Sequence, residues 1–335
     1  MSKLNRIKID GYKSIKKCDL ELRNINVLIG SNGAGKSNFI SVFELLQSIV
    51  KDELSLYAAK KGVNTLFYNS PKTTEAISIN FSFGSDMYAI VLVMSENNSI
   101  AYNFHGATNT NELNMPPPEA NEWRAYHFHD TGTTSRIKSE HNISNCKTLM
   151  SDARNLGAFL YRLREHYAKE YSKILKAVQR IAPYFKDFEL KPNEHNNEHI
   201  VLRWQQKGYE DIFNASQLSD GTLRFICLAT LLLQPEVLQP STIIIDEPEL
   251  GLHPYAITIF AELVKKVAIK KQIILATQSV ELLDHFEPND VIVADRAENG
   301  SVFERKKEEQ LAAWLDDYSL GELWNKNLLG GRVSR

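Results

Sequence analysis

Short runs of apolar residues along the chain predict the buried strands of a largely parallel sheet. The runs Asn26–Ile29 and Thr242–Ile245 are rich in Ile and Val, and each ends in Gly or in charged residues. This pattern is typical of strands that are buried on both faces. Ser78–Phe83 and Tyr88–Met94 predict two further strands, which belong to an antiparallel patch.

Longer segments carry apolar residues at the spacing of a helix. Ser37–Val50 predicts one helix and Leu156–Ala182 predicts one or two. The second segment lacks the heptads of a long coiled coil. Gly106–Asn121 is polar and rich in Pro, so we expect a loop there. Helices that alternate with buried strands indicate an α/β fold.

The composition of the chain indicates a soluble globular protein and says little more about its function. The chain has 335 residues, 43% of them hydrophobic, and a net charge of −2, which is ordinary for a soluble globular protein. Basic residues cluster locally at the N-terminus, and a solvated surface is the simpler interpretation of such a cluster. The N-terminus has no apolar signal core, the longest apolar stretch is too short for a bilayer, and the three cysteines form no C-x-x-C pair. We therefore expect a cytoplasmic protein with no membrane partner.

One glycine-rich segment fits the phosphate-binding pattern G-x-x-x-x-G-K-[ST]. It lies directly after the strand Asn26–Ile29 and before the helix from Ser37, which is the context that the motif needs. Glycines let successive backbone N–H groups surround a phosphate, and the lysine adds a positive charge. The alternative is a glycine-rich turn with no ligand. The residues of this Walker A motif are Gly30, Ser31, Asn32, Gly33, Ala34, Gly35, Lys36 and Ser37.

A second buried strand, Thr242–Ile245, delivers two adjacent carboxylates. Together with a phosphate loop, Asp246 is the expected Mg²⁺ residue beside Ser37, and Glu247 is expected to orient and deprotonate an attacking water. Lys36 is grouped with Glu247 as catalytic. The alternative is that the two acids only end the strand.

The order of several motifs resembles the ABC-type ATPases of the RecF/SMC/OLD class, and specifically the small AAA-type ATPases within it. The resemblance covers nearly the whole chain. The matching segments are "GYKSI" (11–15), "LIGSNGAGKSN" (28–38), "QLSDGTLRF" (217–225), "IIIDEPELGLHP" (243–254) and "ILATQSVELLDHF" (274–286).

The resemblance implies that ATP is buried between two head-to-tail copies of the chain. Ser219 and Gly221 of the signature segment "LSDGT" are then expected to cap the γ-phosphate of the ATP on the other copy, although Ser219 can equally be an ordinary helix cap. Asn38 extends the set of residues around the nucleotide, and Lys13 and Ser14 are expected on its α-phosphate and adenine side. Lys13 can also be a solvated lysine.

Two positions depart from the pattern of the class. Gln278 stands at the switch position of the class, where many relatives have a His that can hydrogen-bond the γ-phosphate. An amide can donate a hydrogen bond but cannot carry a proton. We therefore expect slow turnover, with Gln278 kept in the catalytic set. The glutamine loop of the class has no clear match, and His129 and Asp130 occupy about the right place.

Another motif points to different chemistry. His195–His199 matches H-x-x-E-H, which on a helix would hold Zn²⁺. Pro192 and the paired Asn residues favour a turn between hairpin strands instead, so we do not expect a metalloprotease. Only 57 residues follow Gln278, too few for the TOPRIM nuclease of larger OLD proteins, and intrinsic nuclease activity is not expected.

These observations predict an ABC-type ATPase head with a mixed sheet core and a helical signature lobe. We expect the ATPase core at 1–130 and 240–300, the helical lobe at 131–239 and a helical extension at 301–335. The expected cofactors are ATP and Mg²⁺. The expected partners are a second copy of the chain, or a higher oligomer, with DNA or RNA or a separately encoded effector such as a nuclease, as in phage defence. A non-hydrolysing scaffold and a transporter subunit remain as alternatives.

Overall fold

The computed structural model describes residues 3–95, 97, 99–107, 112, 113, 120, 122–193 and 196–331. The helices in these ranges are α1 Lys36–Val50, α2 Leu54–Lys61, α3 Leu156–His166, α4 Ala168–Ile181, α5 Asp220–Leu233, α6 Pro254–Ala268, α7 Val280–Leu283, α8 Glu308–Leu315 and α9 Leu320–Asn325. The strands in these ranges are β1 Leu4–Tyr12, β2 Ile15–Glu21, β3 Ile25–Ile29, β4 Ala76–Phe83, β5 Asp86–Met94, β6 Ile100–Ala107, β7 Glu112–Leu113, β8 Arg124–Tyr126, β9 His141–Asn142, β10 Phe185–Glu189, β11 Pro192–Asn193, β12 Asn196–Ile200, β13 Arg203–Gln206, β14 Ile212–Asn214, β15 Thr242–Asp246, β16 Gln272–Thr277, β17 Val291–Ala297 and β18 Gly300–Arg305.

The chain divides into two compact units. The first unit holds residues 1–125, 240–246 and 268–335, and the second holds 126–239 and 247–267. Residues 247–267, which the sequence predicted within the ATPase core, fall in the second unit, and residues 301–335, which it predicted as a separate extension, fall in the first unit. Compact units need not coincide with functional lobes, so the predicted core and signature lobe remain predictions.

The first unit contains two six-stranded sheets. One has the order β2-β1-β4-β5-β6-β7 and is antiparallel, and the other has the order β18-β17-β3-β16-β15-β8. In the second sheet β15, β16, β3 and β17 are parallel, and β18 is antiparallel. Helix α1 lies in the core between apolar residues of both sheets, where Phe39 contacts Phe303 and Phe43 contacts Trp123. The predicted mixed sheet is confirmed.

The second unit is built on three helices and two small sheets. These three helices are α3, α4 and α5, the sheets have the orders β10-β13-β14 and β11-β12-β9, and nearly all of a fourth helix, α6, also lies in this unit. Helix α5 is buried at every position from Thr222 to Leu232. It is apolar around its circumference because it is a core helix rather than a surface helix.

Most predicted elements occur with shifts of a residue or two. The segment Leu156–Ala182 forms two helices that are separated at Tyr167, where φ is −139°. The loop predicted for Gly106–Asn121 is wrong at its start, because Gly106 and Ala107 belong to β6 and pair with Leu113 and Glu112 of β7. The rest of that segment lies outside the described residues, apart from Ala120. No helix among the described residues is long and apolar enough to cross a membrane.

The H-x-x-E-H segment is not helical where it is described. Asn196–Ile200 is strand β12. Residues four apart are neighbours on one face of a helix, whereas in a strand they are far apart along the strand axis. His199 Nδ1 lies 3.6 Å from a carboxylate oxygen of Glu140. His195 lies outside the described residues. Among the residues that are described, no three His, Cys, Asp or Glu side chains form a group that could hold a metal ion.

Candidate functional site

The glycine-rich turn leads from β3 directly into α1. Gly33 and Gly35 have φ of +80° and +107°, a region that other residues adopt at a cost. A Cβ on Gly35 would lie 2.2 Å from Ser301 Oγ and 3.0 Å from Ser14 Oγ, whereas a Cβ on Gly33 meets no atom within 4 Å. The turn is therefore closed behind Gly35 and open at Gly33, which suits a loop that wraps an anion.

Lys36 is the first residue of α1, and its side chain is buried. The ammonium Nζ donates to the carbonyl oxygens of Gly30 at 2.6 Å and of Ser31 at 3.1 Å. The lysine thus holds its positive charge inside the turn. Phosphate oxygens that enter the turn can replace carbonyl oxygens as acceptors for this ammonium.

The two predicted metal residues meet in the structure. Ser37 Oγ donates to Asp246 Oδ2 at 3.2 Å. The register explains this contact, because Asp246 of β15 is level with Ala276 of β16, which is level with Leu28 of β3. Parallel strands bring their carboxyl ends to the same edge of the sheet. A hydroxyl and a carboxylate are hard oxygen ligands that suit Mg²⁺.

Gln278 follows β16 and lies against the same turn. Its Nε2 donates to Asn32 Oδ1 at 2.7 Å. The amide therefore contacts the phosphate loop.

The turn between β1 and β2 places Ser14 beside the loop. Ser14 Oγ accepts from Asn38 Nδ2 at 2.7 Å and from Ser301 Oγ at 2.8 Å. Ser301 also donates its backbone N–H to the Ser14 carbonyl at 2.7 Å. Ser301 was missed by the sequence analysis because a single Ser in a distant strand carries no motif.

Lys13 is turned away from the phosphate loop. Its ammonium donates to Ser41 Oγ on α1 at 2.8 Å, and its φ is +46° because it occupies a two-residue hairpin turn. Burial, followed by the nearby charge of Lys61, lowers the pKa of Lys13 to about 8. Of the pair Lys13 and Ser14, only Ser14 reaches the glycine-rich turn in this conformation.

Glu247 follows Asp246 in a strained backbone conformation. Its φ is +46°, which is uncommon for any residue other than Gly. Such strain is found at functional sites, where the surrounding structure holds a side chain in one direction. Glu247 belongs to the second unit, and its carbonyl accepts from the Leu250 N–H at 3.3 Å in the turn that follows.

The signature segment forms a helix start in the second unit. Ser219 is the N-cap of α5, and its Oγ accepts from the Thr222 N–H at 3.2 Å. A Cβ on Gly221 would lie 2.3 Å from the Gly251 carbonyl oxygen. Gly221 is thus required for the close approach of the turn after Glu247, a role separate from binding a phosphate. The Asp220 carboxylate is 3.8 Å from the Lys138 ammonium, which offsets the negative charge at this helix start.

A cavity of about 210 Å³ opens beside this helix start. Its lining includes Ser219, Gly221, Gly251, His253 and Tyr255. The His253 Nδ1 accepts from the Tyr255 N–H at 3.2 Å, so that ring nitrogen is an acceptor and the other carries the proton if the ring is neutral. The signature segment and the turn that contains His253 therefore share one surface of the second unit.

A buried arginine holds the loops of the second unit together, and the sequence analysis missed it. Arg224 donates from Nε to the Phe128 carbonyl at 2.8 Å, from Nη2 to the His129 carbonyl at 3.0 Å, and from Nη1 to the Leu250 carbonyl. The side chains of His129 and Asp130 are exposed. The backbone carbonyl of His129 thus accepts a hydrogen bond from Arg224, whereas the sequence pointed to a role for the His129 side chain.

The chain is similar to several known proteins. Residues 122–284 match the family model described as "AAA domain, putative AbiEii toxin, Type IV TA system", and residues 2–157 match the "AAA ATPase domain" model. The chain is 20% identical over 365 residues to the Old nuclease of Escherichia phage P2, and the match covers 92% of this chain. It spans 62% of the length of that phage protein.

The solved structures that are similar include heads of SMC proteins. A SmcHead bound to the C-winged helix domain of ScpA has a TM-score of 0.62 at 13% identity, over 92% of this chain and 99% of that chain. The SMC head domain from Thermotoga maritima has a TM-score of 0.53 at 13% identity, over 91% of this chain and 99% of that one. At this identity the likeness concerns the fold.

The two AAA models meet in an overlap and together extend from residue 2 to residue 284, which includes every motif of the site. With the Old nuclease match and the SMC-head fold beside them, these matches support an OLD/SMC/RecF-like AAA/ABC-type ATPase.

Proposed function

We propose that this protein binds ATP with Mg²⁺ at the glycine-rich turn and hydrolyses it within a head-to-tail dimer. The observation that carries the proposal is the contact of Ser37 with Asp246, at 3.2 Å, directly beside the buried Lys36 ammonium. A phosphate-binding turn, its lysine and a pair of hard oxygen ligands are the parts that phosphoryl transfer from ATP requires.

Each residue of the first unit has a defined role in this proposal. The backbone N–H groups at the start of α1 and the Lys36 ammonium bind the β- and γ-phosphates. Ser37 and Asp246 hold Mg²⁺, which when bound neutralises charge that develops on the phosphate oxygens. Ser14 and Asn38 fix the wall of the turn through their mutual hydrogen bond of 2.7 Å.

Glu247 orients the attacking water and accepts its proton. Its positive φ marks a strained backbone directly after Asp246, and strain of this kind clusters at functional sites. Gln278 donates a hydrogen bond to the γ-phosphate in place of Asn32. Because its amide cannot accept and release a proton at neutral pH, turnover is slow and depends on Glu247.

The dimer supplies the second half of the site. Ser219 and Gly221 of one copy cap the γ-phosphate that is bound to the other copy. The support for this role is that both line a cavity of about 210 Å³ at the positive end of the 14-residue helix α5. In the absence of ATP the same Ser219 caps its own helix, so one hydroxyl serves both purposes.

We propose control of a separately encoded effector, such as a nuclease in phage defence, as the output of this dimer. The Old nuclease of Escherichia phage P2, of whose length the match covers 62%, is named a nuclease. Binding of DNA or RNA at the basic N-terminus has weaker support. Arg6 and Lys8 on β1 lie 2.6 and 3.2 Å from Asp19 on β2, so part of that positive charge is neutralised within the sheet.

Release of phosphate from ATP by the purified chain tests the catalytic part. We expect slow, Mg²⁺-dependent release that Lys36→Ala and Glu247→Gln each abolish. A wild-type chain that binds ATP tightly but releases no phosphate would instead support the second candidate, an ATP-bound scaffold. The observation in favour of that candidate is Gln278, the amide at the switch position.

A further inference from the structure

The end of the described chain contacts the phosphate loop directly. The Ser31 N–H donates to the Gly331 carbonyl oxygen at 2.9 Å. The carbonyl of the same Ser31 faces inward, where it accepts from the Ala34 N–H at 3.2 Å and from Lys36 Nζ at 3.1 Å. Both backbone polar groups of Ser31 are therefore fixed, one by the loop itself and the other by Gly331.

Gly331 is seated closely against β17. Its φ is +78°, and an added Cβ would lie 2.7 Å from Val293 Cγ1 and 2.9 Å from the Ala294 carbonyl oxygen. The Gly331 N–H donates to Asp295 Oδ2 at 3.3 Å. No other residue type fits this position without displacing the backbone that holds Ser31.

The other end of the same segment packs on the helix that follows Gln278. A Cβ on Gly321 of α9 would lie 2.6 Å from Val280 Cγ1 and 2.7 Å from the Val280 carbonyl oxygen. The Gly321 N–H donates to Asp284 Oδ1 at 2.5 Å. Helix α7 thus has no room to move toward α9.

These contacts close a ring around the nucleotide site. Gln278 precedes α7 and donates to Asn32, and Asn32 is the neighbour of Ser31 in the loop. The phosphate loop is therefore connected to the segment of Gln278 and α7 in two ways. One connection is the Gln278 side chain, and the other is residues 320–331.

We propose that residues 320–331 are a positioning segment for the nucleotide site, in which Gly331 holds Ser31 and Gly321 holds α7. This inference rests on the proposed function, because it assigns the segment to the ATP-binding state of that site. The segment keeps the phosphate loop in its binding conformation before ATP arrives. It also makes the loop and the switch move as one body when Gln278 exchanges Asn32 for a phosphate. Preorganisation of this kind raises affinity because the loop need not be ordered on binding.

Two neighbouring glycines provide a matched test. Gly330 and Gly331 have φ of +79° and +78°, so Ala at either position carries the same backbone cost. Only Gly331 has atoms within reach of the new Cβ, since nothing lies within 4 Å of one on Gly330. Comparison of Gly331→Ala with Gly330→Ala therefore isolates the close approach to β17.

We expect Gly331→Ala to raise the KM for ATP about tenfold with kcat within about twofold of wild type, since displacements below 1 Å at a binding loop have effects of this size. The rise in Tm that ATP·Mg²⁺ causes should shrink in parallel, because that rise reports the ratio of ligand concentration to Kd. Gly330→Ala should keep both values. Equal KM values for the two variants would overturn the proposal.

Asp295→Ala covers the case in which Gly331→Ala does not fold. Asp295 is exposed, and its loss removes the acceptor of the Gly331 N–H without filling space. We expect an unchanged Tm without ATP and a KM raised about threefold to tenfold, the range that one hydrogen bond supplies. An unchanged KM would contradict the segment's role.

Failure of the inference is distinct from failure of the proposed function. If the wild type shows neither an ATP-dependent rise in Tm nor phosphate release, the proposed function itself is wrong. If the wild type shows both and the Gly331 and Asp295 variants match it, only the positioning segment is refuted.

Discussion

Arg224 offers a perturbation whose magnitude follows from the structure. Its side chain is 5% exposed, and it donates to the carbonyls of Phe128, His129 and Leu250. Arg224→Ala removes the guanidinium donor from all three carbonyls, of which His129 keeps a hydrogen bond from the Thr131 N–H at 3.1 Å, and it opens a cavity in the second unit. We therefore expect the variant to lose stability and to loosen the turn that contains Leu250.

The size of the loss is set by two opposing effects. A buried carbonyl that loses its partner costs about 1–3 kcal/mol. Burial lowers the pKa of Arg224, which means that the charged form is held at a desolvation cost that Ala no longer carries. With this offset the net loss of unfolding free energy is about 2–4 kcal/mol. Arg224→Lys, which keeps the charge but not the planar fork, should lose about half as much.

Urea unfolding followed by circular dichroism measures this loss. Arg180→Ala is the matched control, because Arg180 is half exposed and its pair with Glu262 is 3.4 Å long. That control should change the unfolding free energy by less than about 0.5 kcal/mol. If Arg224→Ala also lies within about 0.5 kcal/mol of wild type, the three hydrogen bonds do not hold the loops and the reasoning is refuted.

Three further predictions concern the nucleotide site. Ser37→Ala should raise the Mg²⁺ concentration for half-maximal ATP hydrolysis at least about tenfold, as a Mg²⁺ titration measures, because it removes one of the two hard oxygen ligands; an unchanged titration would contradict the metal assignment. Lys13 has a pKa of about 8 in the folded chain, and urea unfolding of wild type and Lys13→Gln at pH 8 and pH 10 measures its contribution to stability. Without ATP, the lowered pKa of Lys13 means that the unfolded chain binds more protons between pH 8 and the ordinary value of 10.5, so its contribution to stability rises over that interval. Gln278→His should leave kcat unchanged or raise it modestly, and a severe loss in a folded variant would show that the amide is required.

The sequence predicted the parts of the site that depend on local spacing. The glycine-rich turn, the strand that ends in Asp246 and the helix start at Ser219 each follow from residues that are adjacent in the chain. Ser37 and Asp246 were predicted to hold the same Mg²⁺ from the two motifs, and the common edge of the parallel strands explains why they meet. The family resemblance supplied the order of the motifs.

Contacts between segments that are distant along the chain could not be predicted from the sequence. Ser301 and Gly331 approach the phosphate loop from far along the chain, and no local spacing connects either residue with the glycine-rich turn. Arg224 looked like one charged residue in an apolar helix, and only the fold shows the carbonyls that it holds. The direction of Lys13 toward Ser41 likewise depends on a hairpin turn whose geometry its sequence does not determine.

The central claim is an ATP-dependent dimer in which Ser219 acts across the interface. Light scattering after gel filtration tests it on wild type, Glu247→Gln and Glu247→Gln/Ser219→Arg, each with and without ATP·Mg²⁺. We predict that Glu247→Gln doubles in mass only with ATP, because bound ATP is no longer hydrolysed, and that Ser219→Arg abolishes the gain. If the mass of each of the three proteins is the same with and without ATP·Mg²⁺, the ATP-dependent dimer is contradicted.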